Sequence, residues 1–205
     1  MANLDAAFGL RPYKMLGEGA NTNGVSTYDI QTTSTAGTAS VLFEGMPVIP
    51  LANGLIDLCG NADGGTVPLL GAFIGCNYTD LNGTPIWSPK WPGTAAVKTG
   101  TAATAMIASH PDQLFLINCN GNASDADVHR NAKFSTCITG NATTGQSDAE
   151  LDISTLNSTN TLNLRIVGFS DEPSSDDATA SGRLAIVMLN NHFYRYNANG
   201  TGAGI

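Results

Sequence analysis

Charge is the first scarcity in this chain. Only 13% of its 205 residues are Asp, Glu, Lys or Arg, against about 25% in an average soluble domain. The nine Lys and Arg residues are scattered, and the net charge is −8. A protein that grips a phosphate backbone gathers several cations on one face, so nucleic-acid binding is not expected. Long apolar runs are also missing. None approaches the roughly 20 residues that cross a bilayer, so no membrane partner is expected. No basic segment followed by an apolar one precedes a cleavage site, and export by signal peptide is not expected. The four cysteines, Cys59, Cys76, Cys119 and Cys137, include no C-x-x-C pair. That removes the close spacing of a zinc site. Without export, reduced and buried thiols are the expectation.

Catalytic patterns are absent as well. His110, His129 and His192 lie far apart, with no H-E-x-x-H and no G-x-S-x-G. The run GEGANTNG (17–24) lacks the G-x-G-x-x-G spacing and follows no predicted strand. The reading is of a non-enzyme that needs no cofactor.

What the chain does have is Thr, Asn, Ser and 23 glycines. Such a surface is solvated by hydroxyls and amides rather than by ions. A chain of this size buries roughly 70% of its unfolded surface, enough for one real core. Short apolar bursts recur between turn residues: VSTYDI (25–30), SVLFEG (40–45), MPVIPL (46–51), GLIDLCG (54–60), LLGAFIGC (69–76), TAMIAS (104–109), QLFLINC (113–119), TLNLRIVGF (161–169) and RLAIVML (183–189). Pro47 and Pro50 predict an edge or a bulge for the third. No window carries convincing helical periodicity. The fold class is all-β: an antiparallel sandwich or barrel of jelly-roll or Greek-key type, with a β-tulip as the alternative, and little helix. Residues 1–25 read as an extended N-terminal arm, 26–196 as the β domain, and 197–205 as a flexible tail. Within the domain, residues 79–100 read as a long Pro- and Trp-rich loop.

Three groups of residues are candidates for function. Asp125, Asp127 and His129 lie at i, i+2 and i+4, a spacing that can hold a divalent ion. The same residues fit a capped turn, with the carboxylates on orphan amides and His129 pairing Asp125. Trp87 and Trp91 flank Pro89 and can stack a sugar together, or else staple the loop to the domain. In the leader, Phe8 and Leu10 bracket Gly9 ahead of Arg11, Pro12 and Tyr13. Twenty-five residues extended at ~3.3 Å each reach about 80 Å, across a neighbouring subunit. Pro12 restricts Arg11 to extended conformations and lowers the ordering cost of docking. The alternative is that Phe8 and Leu10 fold back on their own chain.

The start, ANLDAAFGLRPYK, resembles that of a set of tailed-phage structural proteins with an Asn-x-Asp-Ala-x-Phe-Gly-Leu-Arg-Pro signature. It falls here on Asn3, Asp5, Ala6, Phe8, Gly9, Leu10, Arg11 and Pro12. GMPVIP (45–50), SHPDQLFLINCNG (109–121), LRIVGFSDEPSSD (164–176) and SGRLAIVMLNNHFYR (181–195) are similar in kind, with His110 where an acid is expected before Pro111. The resemblance implies a head decoration, or cement, protein: predominantly β, made in the host cytoplasm, and trimeric on the outer capsid surface. Its implied partners are the major capsid protein and two copies of itself. A carbohydrate-binding, adhesin-like module on the virion is the rival expectation, carried by Trp87 and Trp91.

Overall fold

The computed structural model describes residues 3–17, 24–30, 40–61, 63–64 and 67–195. The flexible tail expected at 197–205 therefore lies outside the described residues. Among the described residues twelve strands form two six-stranded antiparallel sheets, with two single turns of 3-10 helix at Thr94–Ala96 and Asp125–Asp127. The first sheet runs β1 (Arg11–Met15), β8 (Gln113–Asn118), β12 (Leu184–Leu189), β11 (Leu164–Phe169), β9 (Asn131–Phe134), β10 (Leu151–Asn157). The second runs β2 (Val25–Asp29), β7 (Thr104–Ala108), β5 (Gly71–Thr79), β3 (Pro47–Pro50), β4 (Ile56–Leu58), with β6 (Pro85–Ser88) paired to β5. Among the described residues no helix is long and apolar enough to cross a membrane.

The strands form where β-branched and aromatic side chains cluster, because these pack well on a pleated surface. Strand β8 is buried along its whole length, since it sits between β1 and β12 and is covered on both faces. Strands β5 and β7 serve two cores. Ala72 and Ala108 face the first sheet with Phe115, Ile117, Leu164 and Val187. Phe73, Cys76, Ala105 and Ile107 face the other way, onto Leu42, Met46 and Trp91. Burial on both faces explains the unbroken apolar run at 69–76.

Two sequence expectations change here. Strand β3 is not an edge: it lies between β5 and β4. Its prolines occupy the first and last positions, where a missing N–H interrupts no central ladder bond. Residues 79–100 are not one long loop. Asp80 turns the chain by accepting the Thr84 N–H at 2.7 Å, and β6 then returns along β5.

The cysteines also divide. Cys59, just after β4, and Cys137, just after β9, are joined as a disulfide between the two sheets. Against the expectation of thiols throughout, this pair is bonded in the structure. Sequence gave it no support because the partners are 78 residues apart. Cys76 and Cys119 are free and buried. Burial pushes both thiols up to about 12, so neither is a thiolate near neutral pH.

Candidate functional site: the leader and its loop

The leader is built onto its own chain. Asn3 Nδ2 donates to the carbonyls of Asp177 at 2.8 Å and Ser181 at 3.0 Å, and its Oδ1 accepts the Asp177 N–H at 3.0 Å. The Leu4 N–H donates to Ser174 at 2.9 Å. Ser181 Oγ donates to Asp5 at 2.7 Å, and Asn118 Nδ2 donates to Asp5 at 3.2 Å and Glu150 at 3.4 Å. Burial, then the nearby Asp5 and Asp148 charges, raise the Glu150 carboxyl above its ordinary value, against the Asn118 bond.

Gly9 fixes the next step. Its φ is 76°, and an added Cβ would lie 2.5 Å from the Gly45 carbonyl oxygen. Only glycine lets the two backbones meet so closely. That approach lets the Leu10 N–H reach the Gly45 carbonyl at 2.8 Å and sinks Leu10 to 0% exposure. Arg11 then stacks over Phe8, 4.2 Å from the ring centroid. From Arg11 the chain pairs antiparallel with β8, with a register shift between Pro12 and Lys14.

The free arm is thus corrected: the domain's first strand begins at Arg11, inside the segment read as an arm. Leu10 is occupied by its own core and is withdrawn from any neighbour. Three large apolar side chains remain outward beside the exposed Asp5, Arg11 and Lys14: Leu4 at 71% exposure, Tyr13 at 44% and Leu16 at 48%. A pocket of about 270 Å³ opens beneath the leader, with Leu4, Phe8, Arg11, Glu172, Ser174 and Leu184 on its walls. The outer edge of β1 is blunted by Pro12, by the irregularity at Tyr13 and by Arg11 and Lys14. Those are the devices that discourage strand addition, so contact here must run through side chains.

The tryptophans separate. Trp91 is 0% exposed, edge-on to Tyr78 with centroids 5.7 Å apart, and exchanges backbone hydrogen bonds with Leu42. Trp87 is 59% exposed on β6. The paired sugar platform does not form, because the chain turns inward after Ser88 and carries Trp91 into the core.

The acidic group forms a capped turn. Asp127 accepts the Ser124 N–H at 2.9 Å and pairs with Arg130 at 3.1 Å. Burial acts against its charge, but the Ser124 and Arg130 bonds outweigh that and lower its pKa. Asp125 pairs with Arg183 at 2.8 Å, not with His129 as expected. His129 is exposed in a left-handed conformation, φ 72°. Both carboxylates thus have cationic partners within the protein. No group of metal-ligating side chains occurs among the described residues. Asp127→Ala is expected to lower stability by about 1 kcal/mol, the worth of a lost cap. Thermal melts with and without added calcium or zinc should coincide, and a metal-dependent shift would restore the ion site.

Leu4, Leu16 and Glu172 are not among the candidates that the sequence offers, and Asn3 and Asp5 enter only through the N-terminal signature. A periodicity search passes over polar leader residues. Their signal lay in the acidic connection at 170–182, which reads as solvent-facing until the leader is laid across it. Comparison with protein-family models, curated proteins and solved structures finds no match to this chain.

Proposed function

We propose that this chain is a non-catalytic decoration, or cement, protein that binds the outer surface of a phage head as a trimer and braces the major capsid protein lattice. One observation carries the reading. The residues of the N-terminal signature hold the leader rigidly, and that leader presents Leu4, Tyr13 and Leu16 to solvent. An isolated domain gains nothing from fixing apolar side chains outward; an assembling one does, because ordering them in advance lowers the entropic cost of docking. The scattered basic residues fit a protein partner better than DNA. We further take the two sheets as a sandwich of Greek-key or jelly-roll type, since β8 lies between β1 and β12 rather than beside β7. Trimer contacts close heterologously, and three modest footings engage together as one lasting attachment.

The test is loading onto undecorated heads of the phage that encodes the chain. The wild-type protein is expected to appear as threefold clusters by electron microscopy. Leu4→Ser, Tyr13→Ser and Leu16→Ser combined should stay folded, since all three side chains face solvent, yet weaken binding by at least about tenfold, which corresponds to 1.4 kcal/mol. Unchanged loading of the folded triple variant would overturn the role given to the leader. A protein that never binds heads would overturn the whole reading.

A further inference from the structure

We propose that the Cys59–Cys137 bond is a late staple, open while the chain folds and assembles and closed after release into oxidising surroundings. The joint is suited to both states. Each sulfur is 0% exposed in the core that includes Leu69 and Phe134. The sulfurs of Cys137 and Cys59 lie 3.1 and 3.6 Å from one acceptor, the Asn61 carbonyl oxygen. A carbonyl oxygen has two lone pairs, so this one acceptor can serve both S–H donors when the bond is open and leave neither thiol as an unsatisfied buried group.

Access comes from the loops. Gly60 and Asn61 follow Cys59 at the surface, and Ile138 and Thr139 follow Cys137 there. Each sulfur is one residue beneath an exposed turn, so a local opening reaches it without unfolding either sheet. The oxidant is a low-molecular-weight disulfide of the oxidised-glutathione class. A Cys59 or Cys137 thiolate attacks one of its sulfurs and expels a thiolate. The other cysteine then attacks the mixed disulfide and expels the second. The two protein thiols lose two protons and two electrons, and the small disulfide leaves as two thiols. Cys76 and Cys119 do not compete for the bridge, because each is free and buried with no second cysteine bonded to it that could complete the exchange.

The timing rests on the proposed function, which places synthesis in a reducing cytoplasm; the pairing and its chemistry do not. Producing cells are quenched with acid, denatured with N-ethylmaleimide and analysed by intact mass. All four cysteines are expected to be alkylated. Purified protein incubated with oxidised glutathione is then expected to gain one internal bridge, mapped to Cys59 and Cys137, with Cys76 and Cys119 still alkylatable. Cys59→Ser should abolish that bridge. The closed form should unfold at a higher urea concentration than the open form. A bridge already present in quenched cells, a bridge through Cys119, no bridge with oxidised glutathione, or equal urea midpoints would each overturn the proposal. None of these readouts uses capsids, so loss of the capsid reading would leave them standing.

Discussion

Removing residues 1–13 is expected to unfold the domain, not to yield a soluble body that has merely lost its attachment. The truncation takes Leu10 out of the core, where it is 0% exposed. A buried leucine cut only to alanine costs about 2–5 kcal/mol, with the spread set by how far the cavity collapses. The bonds made by Asn3 and Asp5 add about 1 kcal/mol each. Strand β8 also loses Arg11 and Pro12 from its β1 neighbour, which uncovers the ladder edge at Leu116 and Phe115. Together these approach the whole 5–15 kcal/mol that holds a typical domain folded. Leu10→Ala alone should shift the urea midpoint by an amount worth about 3 kcal/mol. Tyr13→Ser, at an exposed position, should stay within about 0.5 kcal/mol of wild type. A truncated protein with a wild-type unfolding midpoint would show that the leader contributes nothing to its own domain. The consequence for function is practical: attachment must be probed by point changes at Leu4, Tyr13 and Leu16.

The β character was legible because it is a local property. Runs such as QLFLIN and LAIVML carry their strand preference in their own side chains, and both became strands. The errors share a different cause: each depended on a partner remote in sequence. Asn163 alternates with Leu162 and Leu164 and should face water, yet it is 0% exposed because its amide donates to the Gly64 carbonyl at 2.8 Å. Leu10 looked free until β8 and Gly45, both distant in sequence, covered it. Trp87 and Trp91 looked alike, and only the pairing of Trp91 with Leu42 separates them. Pattern reading gives the faces of an element but not what covers them, and the candidate site consists largely of such coverings. The leader was legible as important, while its anchors in the loop at 170–182 were not.

Acidification from pH 7 to pH 4 is expected to cost about 3 kcal/mol through His192 alone. This side chain is 3% exposed. Its Nδ1 accepts the Tyr194 N–H at 3.1 Å. Its Nε2 lies near the Ser109 and Leu70 carbonyls but makes no hydrogen bond of ordinary geometry. Burial, then the Arg195 charge, hold the imidazole neutral and lower its pKa to about 4, with His110 adding to this and the two carbonyls opposing it. In the unfolded chain the same ring titrates near 6.5. Between those values the unfolded state binds the extra proton, so stability falls as pH falls. The contribution is complete above about pH 6.5 and is lost as pH drops through about 4; its full worth is about 3.4 kcal/mol, of which about 3 kcal/mol is gone at pH 4, where the folded ring is half protonated. Glu150 and Asp57 act in the opposite direction: burial raises both carboxyls, so their protonation favours the folded state as pH falls. The His192 share is isolated by His192→Asn, whose Oδ1 can accept the Tyr194 N–H in place of Nδ1 and which does not titrate. Urea unfolding at pH 7 should find the variant less stable than wild type, because the smaller side chain packs less well. Between pH 6.5 and 4 the wild type should lose that advantage by about 3 kcal/mol relative to the variant. Parallel pH profiles for the two proteins would mean that His192 accepts its proton in the folded state as readily as in the unfolded one, and that its burial beside Arg195 carries no energetic weight.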